Sequence, residues 1–93
     1  MRRVGQTRKR DTAEGPIVDA LRQVGAMVLR VSGPGCPDLL VGFRGRWIPI
    51  EVKTGKGRLT KAQEATNQAM PFIVARTPDE AVQAILTPQD RPL

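Results

Sequence analysis

Two apolar runs of strand length, residues 38–43 (DLLVGF) and 47–53 (WIPIEVK), are separated only by Arg44, Gly45 and Arg46. A linker that short joins antiparallel neighbours, so the chain must be built around a β-hairpin. Pro49 conflicts with a fully paired strand, because it has no N–H to give. It predicts a bulge, or a strand unpaired on that side at that position.

The rest of the chain supplies elements to pack on that hairpin. Ile17, Val18, Leu21 and Val24 recur at helical spacing, and Gly25 is a stop signal. Thr12 is a candidate N-cap, while Gly15-Pro16 predicts an irregular first turn or a regular helix from near Pro16. Residues 26–31 (AMVLRV) read as a strand, and 32–37 (SGPGCP) and 54–57 (TGKG) as loops. Thr60 and Gln63 form a capping-box pair that opens a helix to about Ala69. Residues 72–76 (FIVAR) read as a fourth strand. Thr77, Pro78 and Glu80 then start a last helix with Ala81, Val82, Ile85 and Leu86 as its buried stripe. The order α-β-β-β-α-β-α predicts an α/β fold, a mixed central sheet flanked by helices. The 93 residues allow one domain, expected over 11–87, with a flexible basic arm at 1–10 and a tail at 88–93.

Composition narrows the chemistry. There is no His and no Tyr, and Cys36 is the sole cysteine. That excludes a zinc finger, a His general base, a Ser-His-Asp triad and a tyrosine nucleophile. Three aromatics, Phe43, Trp47 and Phe72, are too few for a base-stacking sheet of the RNA-recognition type. A lone cysteine suits a reducing cytoplasmic compartment; no secretory signal or membrane span is evident, and no membrane partner is expected. The net charge is +6. Arg2, Arg3, Arg8, Lys9 and Arg10 crowd the first ten residues. Arg44, Arg46, Lys53, Lys56, Arg58 and Lys61 crowd 44–61, against one acid, Glu51. Nucleic acid is the leading partner. Arg44, Arg46, Lys56, Arg58 and Lys61 are candidate phosphate contacts; the competing reading is a solvated basic loop. Trp47 is a candidate for core, for an interface between copies, or for stacking at a branch point.

Glu51 and Lys53 are two apart on a strand and so share a face. Hairpin pairing across Gly45 brings Asp38, at the start of the preceding strand, towards both. Two carboxylates can hold Mg²⁺ or Mn²⁺ while leaving positions to water and phosphate oxygens. A nearby lysine adds positive charge and can orient or deprotonate an attacking water. Phosphodiester hydrolysis needs these parts and no histidine. A Glu-x-Lys triplet also arises as a solvated strand face. Here Ile48, Ile50 and Val52 make it a core strand, Pro37-Asp38 opens its neighbour, and the surrounding segment is the most basic of the folded part.

Pro37-Asp38 followed by Glu51-Val52-Lys53 resembles the PD-(D/E)XK nuclease superfamily, and residues 35–63 are similar to the VRR-NUC domain. The resemblance spans about Glu14 to Ile85 and implies a restriction-endonuclease-like core. It implies that Asp38, Glu51 and the backbone carbonyl of Val52 are metal ligands and that Lys53 is the catalytic lysine. Gln63 matches a glutamine facing the site, a role compatible with its capping box. Glu14 matches an acid that completes the site; alternatively it is a carboxylate favoured by the helix dipole. It further implies a homodimeric, structure-specific endonuclease of bacterial or phage-infected cells, cutting four-way (Holliday) DNA junctions with Mg²⁺ or Mn²⁺ and no small-molecule cofactor. The rival expectations are a non-catalytic nucleic-acid-binding module on the same fold and a small basic RNA-binding protein.

Overall fold

The computed structural model describes residues 12–87. The element order is α1 (Glu14–Gln23), β1 (Met27–Arg30), β2 (Leu39–Phe43), β3 (Arg46–Val52), α2 (Lys61–Ala69), β4 (Ile73–Ala75) and α3 (Pro78–Leu86). The expected arm at 1–10 and tail at 88–93 lie outside the described residues. So does Asp11.

The strands form one mixed sheet in the order β1-β2-β3-β4. β1, β2 and β3 are antiparallel neighbours, and β4 lies parallel to β3. The hairpin register runs without interruption from Leu39↔Ile50 to Phe43↔Arg46. Pro49 sits opposite Leu40 with no bulge. Its missing N–H faces the β4 side, and β4 pairing begins only at Ile50. Of the two expected outcomes, the unpaired position holds.

Alternation divides the sheet into two unlike faces. Val28, Leu39, Val41, Ile48, Ile50, Val52 and Ala75 point to one side, where they bury against Ile17, Val18 and Leu21 of α1 and Ala81 and Ile85 of α3. On the other side stand Met27, Leu29, Leu40, Trp47, Pro49 and Glu51. α2 covers one corner of that second face. Gly35 permits the close fit of the preceding loop: its φ is +72°, and a Cβ there would sit 2.8 Å from Thr66 Oγ1 and 2.9 Å from the Ala62 carbonyl oxygen.

Several local expectations need correction. The N-cap of α1 is Ala13, with no side-chain cap, so Thr12 does not cap it. Thr12 Oγ1 instead lies 3.4 Å from Thr54 Oγ1. The helix starts at Glu14 rather than near Pro16, which a first-turn proline allows because that turn's N–H groups need no helical partner. β3 begins at Arg46 and ends at Val52, leaving Lys53 just beyond it. Of the expected α3 stripe, Ala81 and Ile85 are buried, Val82 packs at the margin and Leu86 is exposed. Both later caps form as read: Thr60 and Gln63 make a reciprocal capping box, and Thr77 caps α3 with Pro78 at its start. Among the described residues no helix is long and apolar enough to cross a membrane.

Candidate functional site

The hairpin register creates the site. Residues at alternate positions of β3 direct their backbone groups to opposite neighbours. Val52 N–H therefore points towards β2, but β2 has already ended at Leu39 going that way. The side chain of Asp38 fills the gap: its Oδ2 accepts the Val52 N–H at 3.0 Å. A residue's N–H and C=O leave a strand on the same edge, so the Val52 carbonyl also faces the Asp38 edge. Lys53 N–H turns the other way and donates to the Ala75 carbonyl at 3.2 Å.

Glu51 is the centre of the cluster and is only 2% exposed. Its Oε2 accepts from Gln63 Nε2 at 2.9 Å and faces Lys53 Nζ at 3.1 Å. Its Oε1 is buried with no hydrogen-bond partner. Burial pushes the Glu51 carboxyl above the usual carboxylate range; the hydrogen bond from Lys53 opposes this, and the nearby Asp38 charge adds to it. Lys53 also donates to Gln63 Oε1 at 3.1 Å. Gln63 thus links α2 to the strand. The same Oε1 accepts the Thr60 N–H at 3.0 Å, and Gln63 N–H donates to Thr60 Oγ1 at 3.1 Å.

Glu14 reaches the same end of the sheet. Thr12, just before α1, meets Thr54, just after Lys53. Glu14 is 3% exposed, and its Oε2 takes a 2.6 Å hydrogen bond from Arg30 Nε. Arg30 pairs with Leu39, next to Asp38. Sequence reasoning missed Arg30. The available signal was parity: Arg30 shares the core-facing alternation of Val28, where a guanidinium needs an acidic partner.

The candidate phosphate contacts separate into two groups. Lys56, Arg58 and Lys61 are exposed along the loop and helix start that follow the site. Arg44 and Arg46 occupy the hairpin turn at the far end of β3, about 16 Å from Glu51 at the ordinary rise per strand residue. Arg44 is exposed, with its guanidinium 4.9 Å from the centre of the Phe43 ring, and Arg46 is half-buried.

Among the described residues no group of three or more His, Cys, Asp and Glu is placed to hold a metal ion. The pair Asp38 and Glu51, with the Val52 carbonyl beside them, still fits a hard divalent cation. Mg²⁺ commonly takes one or two carboxylates and draws its other ligands from water and phosphate. The buried, unpartnered Glu51 Oε1 is the oxygen such an ion would satisfy. No protein-family model, curated protein or solved structure matches the chain.

Proposed function

We propose that the chain is a Mg²⁺- or Mn²⁺-dependent endonuclease with a PD-(D/E)XK core of the VRR-NUC type, hydrolysing phosphodiester bonds in branched DNA such as four-way junctions. The observation that carries this reading is the state of Glu51: a carboxylate buried beside Asp38, with one oxygen held by Gln63 and Lys53 and the other left without a partner. A buried, unsatisfied carboxylate costs stability, and such groups concentrate at functional sites. The basic loop beside it supplies the charge that a DNA backbone needs.

Asp38, Glu51 and the Val52 carbonyl would hold the cation. When bound, it supplies charge neutralisation at the phosphate and a lowered pKa for water. Lys53 directs its ammonium group at the carboxylate cluster and can orient the water and offset charge building on the phosphate. Gln63 fixes both Glu51 and Lys53 from α2. Lys56, Arg58 and Lys61 position the backbone without reading its sequence. In the net reaction a water oxygen bonds to phosphorus and one phosphorus–oxygen ester bond breaks. A phosphate monoester and a hydroxyl are left.

The test is cleavage of an end-labelled four-way junction, a splayed duplex and a linear duplex, with Mg²⁺, Mn²⁺ or chelator. Metal-dependent cuts favouring the branched substrates, lost in Lys53→Ala and Asp38→Ala variants that still fold and bind, are expected. Binding with no cutting under either metal would replace this reading with a non-catalytic DNA-binding module.

A further inference from the structure

The face of the sheet that carries Glu51 is largely uncovered beyond α2. Met27, Leu29 and Trp47 are 58%, 43% and 56% exposed. Of the three roles open to Trp47, the core is excluded, because its side chain stands in solvent. Its ring lies over Gly42, where even a Cβ would come within 3.1 Å of it. Trp47, Gly42, Met27, Arg44 and Arg46 line one open depression of about 350 Å³, within the size range of small-ligand sites. No acidic residue occurs from Leu39 to Ile50. The depression is lined by an exposed aromatic plate and, at its turn end, by Arg44 and Arg46, with no acidic residue among its lining, and that combination matches a nucleobase and its phosphates.

Placement adds direction. Trp47, Pro49 and Glu51 share one face of β3, and Trp47 stands about 13 Å from Glu51 along the strand. That distance is a few nucleotides of unstacked strand. Pro49 and Leu40 form an apolar floor between them.

We propose that this open face is a track for an unpaired DNA segment, on which Trp47 stacks a nucleobase a few nucleotides from the phosphate held at Glu51 and Lys53. The proposal rests on the nuclease reading for its place in the reaction, but it is tested without catalysis. Trp47 is the sole tryptophan, so its emission reports this site alone. The protein is titrated in chelator with a thymidine oligonucleotide and with a blunt duplex of equal length, while sedimentation follows its mass. Saturable quenching is expected with the unpaired strand and much less with the duplex. In anisotropy with labelled strands, Trp47→Ala should weaken unpaired-strand binding about tenfold and duplex binding less than about twofold, with Trp47→Phe between. Unchanged emission at saturation, or equal weakening for both ligands, overturns the proposal. So does a DNA-free dimer that Trp47→Ala dissociates, which would assign the face to a second copy. Cleavage with a silent Trp47 defeats only this proposal, quenching without cleavage defeats only the nuclease reading, and no binding of either strand defeats both.

Discussion

Gln63 Nε2 donates to Glu51 Oε2 at 2.9 Å, so the residue that caps α2 also holds the buried carboxylate of β3. One side chain therefore couples a helix start to the candidate chemistry. Thr60→Ala and Gln63→Ala separate the two roles. Each removes half of the capping box and should cost about 1 kcal/mol of stability. Only Gln63→Ala frees Glu51 and Lys53 to reorient. Gln63→Ala should melt lower than Thr60→Ala, because it also strips the buried Glu51 Oε2 of a donor, and metal-dependent cleavage should fall at least about tenfold in Gln63→Ala alone. Equal activity in the two variants would reduce Gln63 to a cap.

The raised pKa of Glu51 sets the sign of a pH effect. Burial makes the folded protein hold this proton to higher pH than the unfolded chain, whose carboxyl titrates near 4.5. Between that value and the raised one, the folded state binds more protons. Stability therefore falls as pH rises through that window, and the loss persists above it. Glu51→Gln removes the titration while keeping an acceptor for Gln63. It should melt higher than the parent at neutral pH, by roughly 4–8 °C for each kcal/mol gained, and lose cleavage. The advantage should shrink as pH drops. Lys53→Met removes the group that opposes the shift, so the window should extend upward. A melting advantage for Glu51→Gln that does not change with pH would refute this account.

The main features of the site were legible because they depend on local rules. A three-residue connection fixes the hairpin register, and parity then puts Asp38, Glu51 and Lys53 together. Capping chemistry placed α2, and with it Gln63. What stayed hidden depends on how the layers stack. Alternation assigns Trp47 to a face but does not say which face receives helices. α1 and α3 both pack on the side of Val41 and Ile50, which leaves Trp47 and Leu29 in solvent. Arg30 and Glu14 meet only because α1 folds back across β1, an encounter that neither local pattern contains.

Gly35 tests whether the loop feeding Asp38 is held by its fit against α2. Gly35 and Gly45 both have positive φ, +72° and +78°. Alanine at either should lose about 1–2 kcal/mol from backbone strain alone. At Gly45 the added methyl meets nothing within 4 Å, whereas at Gly35 it meets Thr66 Oγ1 and the Ala62 carbonyl oxygen below 3 Å. Gly35→Ala should therefore be the less stable variant by a further ~1–3 kcal/mol in denaturant melts. Equal losses would mean that the loop lifts off α2 at little cost.

Arg30 and Glu14 offer the last test, because their 2.6 Å contact joins a half-exposed guanidinium to a carboxylate that is only 4% exposed. Arg30→Met leaves that carboxylate buried without its guanidinium and should cost ~1–3 kcal/mol. Glu14→Gln keeps the shape and most hydrogen-bonding capacity, and should cost less. In the double variant the buried charge is gone, so the losses should be less than additive, with a coupling of ~0.5–3 kcal/mol in a denaturant-melt cycle. Activity then distinguishes the partners. The start of α1 lies at the Asp38 end of the sheet, so Glu14→Gln is expected to reduce metal-dependent cleavage more than Arg30→Met, once each is corrected for its folded fraction. The reverse order would make Arg30, rather than Glu14, the group that serves the site.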